Sequence, residues 1–162
     1  MNRDHYKYLI IDQGILAFII NSTINAAIGY GIYISRLTLP LWGMTSIAGD
    51  IIIMTFLLTI IVSYLVTLAT YKKIKKGRLE KATWRRLSNP ILGKLPGNSF
   101  FRAMILALLF TIIIAPIVIV ALAALGINEM TFMTFVIFKG TLAGFLAIIV
   151  APLSAACAFG DE

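Results

Sequence analysis

The chain predicts an all-α, polytopic integral membrane protein of four transmembrane helices, and three observations carry that reading. Of its 162 residues 60% are hydrophobic and only 13% charged, with a mean hydropathy of +0.95, too apolar for an ordinary soluble domain. The apolar residues gather in four long runs: Gln13 to Ser35, Ile51 to Tyr71, Ala103 to Asn128, and Met130 to Gly160. At about 1.5 Å per residue each run can cross a hydrocarbon core of about 30 Å. None alternates lumen and lipid faces in the manner of a membrane barrel, which leaves helices as the way to satisfy the backbone. The expected organisation is a single domain, 1–162, with spans at about 10–34, 45–71, 101–126 and 130–158 and a basic connection over 72–100.

The first span follows a short, mildly basic segment, Met1 to Lys7, that reads as an uncleaved anchor. Asp12 is expected to cap the start of this helix, where exposed N–H groups favour a carboxylate. Asn21 and Asn25 lie one turn apart on one face with Ser22 and Gly29, either bonding to a neighbouring helix or lining a polar cavity. Between spans one and two, Pro40 forms a turn and Trp42 sits at headgroup depth.

The second span opens on Asp50. An ionisable group inside a bilayer costs about 2.5–3.5 kcal/mol at the helix centre, so it marks a site or has a partner. Below it Thr55, Thr59, Ser63 and Thr67 form a stripe, expected to bond to carbonyls one turn earlier or to a neighbouring helix. Stripe and carboxylate lie roughly 140° apart around the helix, so they do not share an obvious pathway.

The net charge of +7 is concentrated between spans two and three, in Lys72, Lys73, Lys75, Lys76, Arg78, Lys81, Arg85, Arg86, Lys94 and Arg102. By the positive-inside rule this connection is cytoplasmic, and with four spans so are both termini, which predicts a multi-pass protein of the inner (plasma) membrane. A polybasic segment there gains about 1 kcal/mol per cation from anionic lipid headgroups. The implied partners are the lipid bilayer and those headgroups, contacted by Lys72, Lys73, Lys75, Lys76, Arg78, Arg85 and Arg86. One aromatic among these cations, Trp84, makes no stacking platform, so no nucleic acid is implied.

Span three carries Pro116, which removes a backbone donor near mid-membrane and should kink the helix. Span four carries Lys139 directly above Gly140-x-x-x-Gly144, with Ala147, Ala151 and Ala155 continuing a small-residue face suited to close helix contact. The lone Cys157 reads as a small buried hydrophobe. Sliding span two onto span four sets Asp50 on Lys139 and Phe56-Leu57 on Phe145-Leu146, the pattern of two duplicated helical hairpins of like orientation. Asn25, Lys139 and Asp50 fall at similar depths, roughly 13, 13 and 9 Å from the outer boundary. The expected polar cluster is therefore Asn21, Asn25, Asp50 and Lys139, in the outer half of the bundle, serving either to bind a ligand or to fix how the hairpins dock.

The pattern Asn21-x-x-x-Asn25, Pro40-Leu41-Trp42-Gly43-x-x-Ser46-Ile47-x-x-Asp50, a basic middle loop and Phe138-Lys139 resembles that of a family of small bacterial four-span membrane proteins without a known activity. The resemblance covers nearly the whole chain and implies topology, not mechanism. From the residues themselves two functions compete. One is binding or transport of a small solute or ion through the polar cluster, as an oligomer because four short helices enclose little volume. The other is a non-catalytic scaffold or accessory subunit whose Asp50–Lys139 pair is structural. An intramembrane enzyme is least supported: His5 is the only histidine, no metal-ligand cluster or paired carboxylates occur, and no cofactor is implied.

Overall fold

The computed structural model of the chain describes residues 7–79 and 92–161; Lys81, Arg85 and Arg86 of the basic connection lie outside them. The described chain is an all-α bundle of four helices, each long and apolar enough to cross a membrane, which makes this a multi-pass membrane protein: α1 (Tyr8–Tyr33), α2 (Ile47–Lys75), α3 (Ser99–Ala124) and α4 (Phe132–Gly160). The first turns of α1, Tyr8–Ile15, are wound as π-helix. Asp12 lies within that segment and does not cap it; its carboxylate meets Lys73 Nζ at 2.9 Å, because α1 begins a turn before the apolar run does.

Local sequence sets the helix ends. Ser46, extended at φ −126° and ψ 160°, starts α2 by accepting the Gly49 N–H on its hydroxyl at 3.2 Å. Asn98 does the same for α3 with Phe100 and Phe101, and Thr131 for α4 with Thr134. Helix α2 stops at Gly77 (φ +67°), where Gly77 N–H bonds Ile74 O and Arg78 N–H bonds Lys73 O, both at 3.0 Å; α3 stops the same way at Gly126 (φ +73°). Only glycine takes this left-handed turn without strain. The lysines of the basic segment, Lys72, Lys73 and Lys75, thus complete the last turn of α2, where cations suit the helix dipole. Pro116 and Pro152 both lie within helices that continue past them.

The two connections at the far end form a short antiparallel ladder that has no periodic signal in the sequence: β1 (Thr38–Pro40) pairs with β2 (Glu129–Thr131), Leu39 opposite Met130. Both of these face inward and join Leu41, Ile47, Ile51, Ile119, Leu122 and Phe135 in an apolar cluster that closes this end.

Helix order in space is α1–α4–α2–α3. Helix α4 packs on α1 and on α2, and α3 packs on α2. Helices α2 and α4 occupy the centre: 61% of the most apolar stretch of α4 is buried against 11% of that of α1. They run parallel and nearly in register, since their side-chain contacts pair residues 89, 91 and 90 positions apart in order down the bundle. Each hairpin's first helix therefore packs on the second helix of the other, the exchange expected of a two-fold axis along the membrane normal.

The small residues of α4 make the α1 contact. A Cβ on Gly140 would lie 2.9 Å from the Ser22 backbone carbonyl oxygen and 3.0 Å from Ala26 Cβ, groups with little freedom to move. Gly140→Ala is expected to cost about 1–3 kcal/mol by overpacking. Gly31→Ala, with nothing within 4 Å of the new methyl, should instead be neutral or gain up to about 1 kcal/mol from helix propensity. Equilibrium unfolding of the purified protein in detergent reads both.

Candidate functional site: a buried Tyr–Asp–Lys cluster

Asp50 belongs to the first turn of α2, where the helix start favours an anion. Lys139 projects from α4 onto it: Nζ lies 2.5 Å from Asp50 Oδ1, with side chains 5% and 9% exposed for Lys139 and Asp50. The same oxygen accepts the Tyr33 hydroxyl at 3.1 Å from the end of α1. Three helices meet at one carboxylate oxygen. The other oxygen, Oδ2, is buried and has no hydrogen-bond partner among the described residues.

Aromatic and small residues shape the surroundings. Phe135 meets the Tyr33 ring edge-on, with centroids 5.2 Å apart, and its ring centroid is 6.0 Å from Lys139 Nζ, the outer limit of a cation–π contact. The lysine stem passes α1 at Gly29, where a Cβ would stand 3.0 Å from Lys139 Cδ. That close approach is the reason for glycine at a position the sequence marks only as part of a polar face.

The amides lie apart from this cluster in bonding. Asn21 donates to Ala17 O at 2.8 Å and Asn25 to Asn21 O at 3.0 Å, so each caps a carbonyl of its own helix. The second hydrogen bond to the carboxylate comes from Tyr33, a residue that the sequence does not single out. Within the hydroxyl stripe, Ser63 Oγ and Ser154 Oγ of α4 share a hydrogen bond at 2.9 Å, as a helix–helix contact should. Thr55, Thr59 and Thr67 are buried without a partner among the described residues, neither back-bonded nor paired across helices.

A second buried ionic cluster lies at the basic end. Arg102, fully buried, donates to Asp161 Oδ2 at 2.6 Å; the Tyr71 hydroxyl donates to the same oxygen and lies 3.5 Å from Arg102 Nη2. Arg102 counts as a loop cation in sequence. The fold turns it inward because it occupies the first turn of α3, facing the ends of α2 and α4. Of the basic-segment residues, Lys72, Lys75, Lys76 and Arg78 are exposed, while Lys73 is half-buried by its contact with Asp12.

Chemically, the Asp50 cluster offers a spare acceptor oxygen beside a cation and a phenol. The described residues contain no group of three or more His, Cys, Asp or Glu side chains that could hold a metal. The cluster suits the binding of a proton, a cation or a donor group on a solute.

Tyr33→Phe removes a hydrogen bond to a charged acceptor and should cost about 1.5–3 kcal/mol, whereas Asn25→Ala, whose amide bonds only to a carbonyl of its own helix, should cost clearly less. Detergent unfolding midpoints of the two variants test the contrast. Comparison with protein-family models, curated proteins and solved structures gives no match to this chain.

Proposed function

We propose that this chain is an inner-membrane protein with cytoplasmic termini and basic segment, which binds or carries a small solute or ion at Asp50, Lys139 and Tyr33. The observation that supports this reading is Asp50 Oδ2, a buried carboxylate oxygen without a protein partner. Lys139 and Tyr33 crowd onto Oδ1 while Oδ2 is left to a guest. A guest cation or proton there lowers the attraction between Asp50 and Lys139, so occupancy is coupled to separation of the pair, and hence of α2 from α4. A row of four helices encloses little volume, which assigns transport of anything larger than a bare ion to a homo-oligomer. On the cytoplasmic side the exposed lysines rest on anionic lipid headgroups.

The alternative, a scaffold or accessory subunit, is favoured by a different observation: one oxygen gathers α1, α2 and α4, which is what a docking pin does. Exchange of the two charges separates the readings. Asp50→Asn or Lys139→Met alone should cost about 3–5 kcal/mol, because each strands a buried charge, and the double change much less. In the swapped protein (Asp50→Lys with Lys139→Asp) the pair re-forms at a loss of about 0.3–1 kcal/mol for placing a cation at the start of α2. If the site carries ions, vesicles of the folded, swapped protein lose the proton or monovalent-cation flux of the wild type. Equal flux from wild type, swapped protein and empty vesicles would assign the pair to structure alone.

A further inference from the structure

A cleft of about 290 Å³ opens at the basic end, between the first turns of α1 and the end of α2, lined by Lys7, Tyr8, Asp12, Lys73, Arg78 and Leu79. Its wall is built. Lys73 Nζ is held at 2.9 Å by Asp12 and lies 4.3 Å from the centroid of the Tyr8 ring. The Tyr8 hydroxyl is 3.1 Å from Thr70 Oγ1, and its ring meets Phe159 edge-on at 5.9 Å. Arg78 is set in place by the glycine turn that ends α2, its N–H bonded to Lys73 O at 3.0 Å. Among the described residues neither Lys7 nor Arg78 forms an ion pair.

Among the described residues three cations thus face one carboxylate, which is already committed to Lys73, so two positive charges of the lining are met by no described acidic side chain. A phosphomonoester carries roughly −1.5 to −2 at neutral pH, against one charge on a phosphodiester. Arginine offers a fork of donors to such a group and lysine a point charge. Next to the cleft in sequence Ile10 and Ile11 are exposed on α1, at 59% and 47%, an apolar surface of the kind that suits acyl chains.

We infer that this cleft is a binding site for a phosphomonoester, presented as the headgroup of a membrane lipid. The inference rests on the reading that the basic end faces an anionic leaflet, and goes beyond diffuse adhesion in assigning a discrete, selective site. The purified full chain in neutral detergent is titrated with dihexanoyl phosphatidic acid, dihexanoyl phosphatidylglycerol and glycerol 3-phosphate. Phosphatidic acid should bind about tenfold more tightly than phosphatidylglycerol, the margin of one further charged contact. Lys7→Ser with Arg78→Ser should abolish that margin, while Lys75→Ser with Lys76→Ser, on the same helix end but outside the cleft, should preserve it. Glycerol 3-phosphate binding as tightly as phosphatidic acid upholds the phosphomonoester assignment and makes the occupant a soluble ester. Equal binding of the two lipids, or an equal loss from both double variants, overturns the site and leaves diffuse adhesion, with the orientation of the protein unaffected.

Discussion

The two central helices are joined by charges taken out of water, and that cost organises the bundle. An isolated ion in a low-dielectric interior costs several kcal/mol even after relaxation, and mutual attraction offsets this only where the geometry is close and further hydrogen bonds complete it. Asp50 and Lys139 meet the first condition at 2.5 Å, and Tyr33 contributes to the second. Because the carboxylate stays at the first turn of α2 and the lysine about two turns into α4, the pair also fixes the register of two parallel helices. The Ser63–Ser154 contact further down follows from that register. Among lipid tails, where apolar surface gives helices little reason to prefer one another, such polar pins and close packing carry most of the specificity.

The basic end repeats the chemistry with other residues. Tyr71, Asp161 and Arg102 make a second phenol–carboxylate–cation group, again on a single carboxylate oxygen. The first group draws in α1 and the second α3, so each group ties one edge helix to both central helices, with Asp161 placed directly after the end of α4. Close packing complements the pins differently on the two sides. Helix α1 has few buried side chains and relies on the small-residue face of α4 at Gly140 and Gly144. Helix α3 instead contributes Ala115, Ile119 and Leu122 to the cluster beneath the β ladder, leaving Ile112, Ile113, Ile117 and Val120 for lipid.

How much of this is legible in the sequence depends on whether a residue's partner is implied by rarity. Four spans follow from uninterrupted apolar runs. Asp50 and Lys139 stand out because charges inside such runs are costly, and two opposite charges at like depth name each other. Tyr33, Tyr71 and Arg102 do not stand out: at span ends phenols and cations are ordinary, and only the fold distinguishes an inward one from a surface one. The amides mislead for the opposite reason. Asn21 and Asn25 are conspicuous in an apolar helix, yet carbonyls of their own helix one turn away satisfy them, a solution available at any position and therefore silent about tertiary structure. The β ladder leaves no mark because strands of three residues have no measurable period.

The unsatisfied groups that remain differ in kind between the two ends. Among the described residues the charged side chains hold an unpartnered acceptor at the ladder end, Asp50 Oδ2, and an unpartnered donor at the basic end, Arg102 Nε. The buried hydroxyls of Thr55, Thr59 and Thr67 lie along α2 between them. Backbone geometry still sets Asp50 roughly 140° around the helix from the start of that stripe. Met54 and Leu58, one and two turns below Asp50 on its own face of α2, are both buried in the apolar core. Rotation of α2, or withdrawal of α4 from it, is resisted by the Lys139 contact with Asp50 and, further down, by the Ser63–Ser154 and Tyr71–Asp161 contacts. Under the proposed function, a guest at Oδ2 would weaken the first of these ties, so the atom that would receive it is the one whose occupancy loosens the packing around it.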